Sequence, residues 1–437
     1  MKRYTSFRDL LKDQRPSAPA LEFFLGERKL ELTYDGFLDR IAAFPLPKER
    51  VIGIFADTTV ETLVALFALI GKKRLVMLSP DDSDEVLIEQ IQATKVEALL
   101  GPSDLVEEFQ PHCTPMSPRA GKEILFFTSG TTSRSKAVVL TEQSLCSSAY
   151  NGGCLLPLKK TDSLLSLLPL SHVFGLVCTI LWPLSFGAKV CLGRGLRSMM
   201  FDFDAYRPSV TTLVPQLAGF LLSKNLLNPE LRLVLIGAGA CSDPILMGLK
   251  QKGIRVSFGY GMTETSSGIA LSIGDDPRAM TVCPDYQLSI APDGEILLQG
   301  SPTFMKGYFQ DPKGTAASLK DGVLHTGDLG TYENGILRLT GRKKETLVFD
   351  DGSKLFLPEY EAALAKCLGP GADFAIVQGK EGKVVLACYN RRFIEGTVQE
   401  FNKNYPWSHQ IHRIVYLNDP LPRSKTGKVQ RYLIPID

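Results

Sequence analysis

A run of hydroxyl side chains around a glycine, closed by a lysine, gives the strongest local signal in the chain. It reads Leu125-Phe126-Phe127-Thr128-Ser129-Gly130-Thr131-Thr132-Ser133-Arg134-Ser135-Lys136. Hydroxyls and loop N–H groups supply the many donors that a polyphosphate needs. Gly130 lets the backbone approach such a ligand, and Lys136 adds a positive point charge for a β- or γ-phosphate. A Ser/Thr-rich turn beside a solvated lysine has the same composition, so the loop alone leaves both readings open. The G-x-x-x-x-G-K-[ST] phosphate pattern is absent. Gly237-Ala238-Gly239 is not a dinucleotide fingerprint, because Ser242 stands where the third glycine is needed.

The loop resembles the phosphate-binding motif of the ANL superfamily of adenylate-forming enzymes: acyl- and aryl-CoA synthetases, peptide-synthetase adenylation domains and luciferases. That motif usually reads T-S-G-T-T-G-x-P-K-G. The chain keeps Thr128 through Thr132 and Lys136, and departs at Ser133, Ser135 and Ala137. These departures remove no donor, so they imply altered loop motion with ATP binding kept. Further family motifs follow in the family's order, and the resemblance covers the chain from about residue 20 to its end.

The roles below are those the resemblance implies. Leu168-Pro169-Leu170-Ser171-His172-Val173-Phe174-Gly175 borders the acyl pocket, where His172 and Phe174 would flank the reacting carboxylate. A satisfied core histidine is the plainer alternative. The turn holding Gly239, Ala240 and Cys241 would pack against adenine, although any strand-to-helix turn can carry small residues. Gly259-Tyr260-Gly261-Met262-Thr263-Glu264 matches Y-G-x-T-E without departure. Tyr260 would stack on adenine and Thr263 would donate to the α-phosphate. Glu264, with Thr128, would hold Mg2+ through oxygen. Gly259 and Gly261 would let the acyl group and the nucleotide reach the backbone. Asp328, in Thr326-Gly327-Asp328, would accept hydrogen bonds from both ribose hydroxyls, and Arg342 would reach the ribose or a phosphate. Lys344 falls at the hinge. Leu421-Pro422-Arg423-Ser424-Lys425-Thr426-Gly427-Lys428 resembles P-R-T-x-x-G-K, which makes Lys428 the catalytic lysine.

The implied activity is ATP-dependent adenylation of a small carboxylic acid with release of pyrophosphate, followed by transfer to the thiol of coenzyme A. One rival is a stand-alone adenylation enzyme that loads the phosphopantetheine of a carrier protein. Another is a non-catalytic nucleotide-binding protein, which the intact Lys136, Glu264, Asp328 and Lys428 argue against. The acid is open: small aromatic, short aliphatic and fatty acids all fit. The stretch before the loop is short for the family, which implies a trimmed acyl or dimer surface and leaves a homodimer open.

These residues need a scaffold, and the chain alternates strands with helices. Residues 51–55, 75–78, 211–214, 233–236 and 256–258 read as strands, and 59–70 and 216–223 as helices. Such alternation implies parallel sheets with helices on their faces. After Pro284 the texture changes to strands at 295–299 and 335–340 joined by Gly, Asp and Asn turns, as in a small β-barrel-like unit. The polar Gly341-Arg342-Lys343-Lys344-Glu345 suits a connection between domains. The expected division is therefore 1–342, a large adenylation domain, and 343–437, a small mobile α+β domain. In the latter, strands fall at 355–357, 373–377 and 384–390, and helices at 358–367 and 397–404.

Net charge is +2 and charged residues make up 22% of the 437, so no basic field points to nucleic acid or an anionic membrane. The nine cysteines include no C-x-x-C pair and read as small core residues in a reducing compartment, the cytoplasm. His409 and His412 have the spacing of a metal pair but no neighbouring ligands. Residues 163–188 carry no charge. Pro169 and Pro183 would break a spanning helix, so this stretch reads as a buried strand, a turn at 169–172 and a buried helix.

Overall fold

The computed structural model describes residues 1–115, 120–128, 136–195, 197–239, 241–349, 353–379, 382–423 and 429–436. The chain divides into two compact units. One comprises Met1–Ile290, Leu297–Thr326 and Tyr332–Arg338, and the other Ala291–Ile296, Gly327–Thr331 and Leu339–Asp437.

In the first unit the aliphatic runs form parallel strands. Leu233–Ile236 is buried at every position, the pattern of a strand covered on both faces. It lies parallel to Val210–Leu213 on one side and to Arg255–Met262 on the other. Ser163–Ser166 and Lys189–Leu192 continue the parallel order. Leu213 pairs with Ile236 and Ile236 with Phe258, so the turns after these strands leave from one edge. That edge, at the carboxyl ends of parallel strands, is where open α/β sheets take ligands. A second sheet sets Ala98–Leu100, Val51–Phe55, Arg74–Leu78 and Ile124–Phe127 in parallel, and Ala137–Leu140 folds back antiparallel on the last. The 59–70 helix runs Val60–Leu69, with Thr59 accepting from the Thr62 N–H as its N-cap.

Two features were not visible in the sequence pattern: an N-terminal hairpin, and π geometry within the 163–188 stretch, whose strand, turn and helix are as read. Pro19–Leu25 and Arg28–Thr33 form a hairpin beside Lys189–Leu192. Glu22 obscures that strand, because a charge argues against a buried position. The structure resolves it: Glu22 is 7% exposed and pairs with Lys189 at 2.9 Å and Lys29 at 3.3 Å. The uncharged 163–188 stretch is the strand Ser163–Ser166, a turn and a helix from Val173 to Ser185, whose middle, Leu176–Leu181, has π geometry. Pro183 cannot donate to the preceding turn, and the wider winding before it relieves the mismatch. Thr179 donates to the Gly175 carbonyl and meets Ser166 Oγ, each at 2.7 Å. Among the described residues, no helix is long and apolar enough to cross a membrane.

Asp162, at the foot of Ser163–Ser166, accepts from Arg232 Nε at 2.8 Å, Ser209 Oγ at 2.9 Å and the Lys159 N–H at 2.7 Å. Burial alone would raise its pKa. The Arg232 guanidinium, the Lys159 N–H and the Ser209 hydroxyl outweigh it and hold the carboxyl below its ordinary value. A depressed folded-state pKa stabilises above the unfolded value, about 3.9, and that stability is lost as pH falls through the folded value. Asp162→Asn is therefore expected to lower the urea midpoint at neutral pH, with the gap to wild type closing below about pH 4. A gap independent of pH would contradict this.

In the second unit, Phe374–Gln378 pairs antiparallel with Val384–Cys388, which pairs parallel with Ile411–Tyr416. Period two is clear: Ile376, Val384, Leu386 and Cys388 pack with Tyr360, Leu364 and Phe401 of the helices. Ala375, Val377, Val385 and Ala387 pack with Leu417, Leu421 and Ile434 on the other face. His409 Nε2 meets Ser353 Oγ at 2.9 Å and His412 Nε2 meets the Trp407 carbonyl at 3.0 Å, so each imidazole has a structural partner.

Candidate active site

The strands on either side of the loop expected to bind phosphate pair with each other. Phe127 pairs with Ala137, and the Thr128 N–H donates to the Lys136 carbonyl at 3.0 Å, so Thr128 and Lys136 close the stem. Ser129, Gly130, Thr131 and Thr132 lie outside the described residues. Gly307–Tyr308 runs antiparallel along the second arm, with Tyr308 opposite Val138. Lys136 Nζ lies 4.3 Å from the centre of the Tyr308 ring and 3.1 Å from Asp311 Oδ2. The Tyr308 hydroxyl donates to Glu264 Oε1 at 2.7 Å. Lys136 and Glu264, far apart in sequence, thus share a neighbour.

Glu264 belongs to a segment built under constraint. Arg255–Met262 runs parallel to Leu233–Ile236 as far as Phe258, then turns antiparallel to Ser267–Leu271, with a bulge between Tyr260 and Gly261. A Cβ at Gly261 would lie 1.9 Å from the Ser267 carbonyl oxygen, so only glycine fits. Thr263–Thr265 is a 3-10 turn, and after it Ser266 and Ser267 have φ of +54° and +118°. Non-glycine residues with such φ concentrate at functional sites. Thr265 Oγ1 donates to the Met262 and Ser267 carbonyls at 3.0 and 2.9 Å, and the Met305 N–H donates to the Glu264 carbonyl at 2.8 Å, holding the turn. Glu264 and Tyr260 are buried, Met262 and Thr263 half-buried. Gly259 packs against Leu271 and Leu235.

Phe174, two residues after His172, reaches the same sheet edge. A Cβ at Gly175 would come 2.1 Å from the Pro169 carbonyl oxygen, so this glycine lets the helix start against the turn. Phe174 lies over Gly237, where a Cβ would be 2.6 Å from its ring. His172 is exposed. Desolvation by the neighbouring protein lowers its pKa, with Asp82 opposing, and favours the neutral imidazole. The turn after Leu233–Ile236 leaves Gly239 exposed and Cys241 half-buried. Ala240 is outside the described residues.

In the second unit Asp328 is 5% exposed and pairs with Arg342 Nε at 2.8 Å. Beside it, Glu295 Oε1 accepts from the Gly327 N–H at 2.9 Å, and Glu295 Oε2 pairs with Lys343 at 2.8 Å. Lys344 lies in the 3-10 turn Lys343–Glu345. Lys428 is outside the described residues, but its flanks are fixed: Arg423 bridges to Val429, and the Gln430 N–H donates to the Pro422 carbonyl at 2.8 Å.

Over residues 46–309, more than half of its length, the sequence matches the family described as AMP-binding enzyme. The chain belongs to that family. It is 28% identical over 398 residues to a probable CoA ligase of Humulus lupulus, covering 83% of this chain and 71% of that protein. It is 27% identical over 425 residues to the 2-succinylbenzoate–CoA ligase of Listeria monocytogenes, covering 90% of each. The fold matches the Bacillus subtilis O-succinylbenzoate coenzyme A synthetase in complex with AMP, with a TM-score of 0.81 at 21% identity over 99% of this chain and 98% of that one. The same enzyme with ATP and magnesium gives 0.80. The fold is thus that of the adenylate-forming enzymes.

The donor set of this AMP-binding enzyme fits magnesium carried by ATP. Among the described residues, no group of three or more His, Cys, Asp or Glu could hold a metal by itself. A single buried carboxylate such as Glu264 suits an ion that takes most of its ligands from substrate phosphates and water. Tyr308 and Asp311 were missed in the sequence. Gly307-Tyr308-Phe309-Gln310-Asp311-Pro312 reads as an ordinary turn, and only strand pairing carries it to Lys136.

Proposed function

We propose that this chain activates a carboxylic acid with ATP, leaving an acyl-adenylate and pyrophosphate, and then passes the acyl group to the thiol of coenzyme A. The observation that carries the reading is the convergence of Lys136 and Glu264 on Tyr308, at the edge where the Arg255–Met262 strand leaves the parallel sheet. Lys136, which would meet the polyphosphate, and Glu264, which would ligate its metal, both lie beside Tyr308, and this supports the reading. The CoA half is supported by relatives whose names are CoA ligases.

In the first step the carboxylate oxygen attacks the α-phosphorus, and the bond to the bridging oxygen breaks as pyrophosphate leaves with the electron pair. Like charges meet, so positioning and neutralisation are the whole task. Lys136 and the loop donors Ser129, Gly130, Thr131 and Thr132 would hold the β- and γ-phosphates, and Thr263 the α-phosphate. Tyr260 and the Gly239-Ala240-Cys241 turn would take adenine, with Gly261 and Met262 beside it. Asp328 would take the ribose, and Arg342 would turn to it or to a phosphate. His172, Phe174 and Gly259 would flank the acid. Glu264 and Thr128 would hold magnesium, which when bound lowers the charge on the phosphates. Lys428 would bridge carboxylate and α-phosphate. In the second step the thiol sulfur attacks the acyl carbon and AMP departs. The boundary at 342/343, with Lys344 as hinge, would let the C-terminal domain leave between steps. The free cysteines fit a reducing compartment, and we place the enzyme in the cytoplasm.

Pyrophosphate release across a panel of aromatic, short aliphatic and fatty acids, with and without CoA, tests the reading. At least one acid is expected to release pyrophosphate with ATP and to yield a CoA thioester. Release by none removes the adenylating activity. An adenylate that CoA never discharges replaces CoA by a carrier protein.

A further inference from the structure

We propose that Tyr308 is a positioning residue linking Lys136 to Glu264, and that Asp311 holds Lys136 in the nucleotide-free protein until a polyphosphate takes its place. This rests on the adenylating reading above and assigns two residues that reading does not use.

The geometry is specific. The Tyr308 ring lies under the Lys136 ammonium at 4.3 Å, within the range of a cation–π contact. Its hydroxyl donates to Glu264 Oε1 at 2.7 Å and lies 3.3 Å from Ser318 Oγ. A phenol ordinarily carries its proton at neutral pH, so the hydroxyl is the donor and the carboxylate oxygen the acceptor. That bond fixes which way the carboxylate faces and leaves its other oxygen for a metal. Tyr308 is itself fixed: its N–H donates to Thr315 Oγ1 at 2.8 Å, and its strand pairs with the lysine's own hairpin.

Asp311 is placed for a temporary hold. Its Oδ1 caps the helix Pro312–Ser318 by accepting from the Gly314 N–H at 2.8 Å, while its Oδ2 meets Lys136 Nζ at 3.1 Å. The Gly314 N–H and then Lys136 keep its pKa below the ordinary value, so it is ionised at neutral pH. Both side chains are about two-fifths exposed, at 40% and 38%. Ion pairs so exposed are weak, and a triphosphate offers more charge and more acceptor oxygens. Lys136 thus waits near its working position, and exchange of partners costs little.

The test uses the whole chain and titrates ATP calorimetrically over a series of Mg2+ concentrations, with no acid present and no turnover. Tyr308→Phe keeps the ring and loses the hydroxyl. The Mg2+ needed for half-maximal ATP binding is expected to rise roughly tenfold, with ATP binding in EDTA unchanged. An unchanged Mg2+ dependence overturns the positioning role, even if thermal stability falls. Asp311→Asn keeps the helix cap and is expected to tighten ATP binding several-fold. In a Lys136→Ala background the same change should have no effect. Equal tightening in both backgrounds makes Asp311 a mere repulsive charge and overturns the hold. If Tyr308→Phe does not fold, the Asp311 cycle decides alone. Failure of the wild type to bind ATP would instead remove the adenylating reading, and the inference with it.

Discussion

Lys428→Ala is expected to slow acyl-adenylate formation by about 10²–10³-fold while leaving ATP binding within a small factor of wild type. The reason is electrostatic. On the proposed assignment, Lys136 and magnesium would already meet the β- and γ-phosphates of ground-state ATP. Charge that gathers between the attacking carboxylate and the α-phosphate has no such partner until an ammonium reaches it. A group that acts only there changes the rate and not the affinity. The described residues on either side of 424–428 are held in the fold. Arg423 and Val429 bridge across that segment, and the Leu421 N–H donates to Asp373 Oδ2 at 3.0 Å, with Arg423 paired to the same carboxylate. Arg431 Nε beyond it donates to the Ile376 carbonyl at 3.1 Å. Single-turnover pyrophosphate release, set beside calorimetric ATP binding, separates the two effects. Adenylation at the wild-type rate would sink the role given to Lys428.

Gly261→Ala is expected to lower the first unfolding transition by about 3 kcal/mol and to abolish ATP binding with it. The new Cβ would meet the Ser267 carbonyl oxygen at 1.9 Å and Gly268 Cα at 2.9 Å. Both are backbone atoms of the paired strand, so no side-chain rotation relieves the clash. Separating the strands would pull on Ser266 and Ser267, already at positive φ, and on the turn that presents Glu264. Gly268→Ala is the control, because a Cβ there meets nothing within 4 Å. Urea denaturation of the two variants should differ clearly. Equal midpoints would show that the bulge has more room than its geometry allows.

Much of the scaffold was legible because it depends on local pattern. The buried run 233–236 became Leu233–Ile236, and 295–299 became Glu295–Gln299. The 358–367 helix became Leu357–Leu368, one residue longer at each end. The strand read at 256–258 proved longer, Arg255–Met262, because its second half pairs with a different partner in a different direction. Gly259 and Gly261 look like strand breakers, yet here they are sites of close backbone approach. Ile411–Tyr416 went unread because His412 and Arg413 break the apolar run.

By itself the sequence determined the alternation of strands and helices over 51–78 and 211–258, the Y-G-x-T-E segment and the membership of an adenylate-forming family, since these rest on residue type and spacing along the chain. Only the tertiary structure decided that Tyr308 lies between Lys136 and Glu264 and that Asp311 meets the lysine. The reason is register. Tyr308 reaches Lys136 because Gly307–Tyr308 pairs with Val138 and Val139. A one-residue slip in that pairing would carry its side chain to the opposite face, and no local pattern in the Gly307-Tyr308-Phe309 turn records which register is taken.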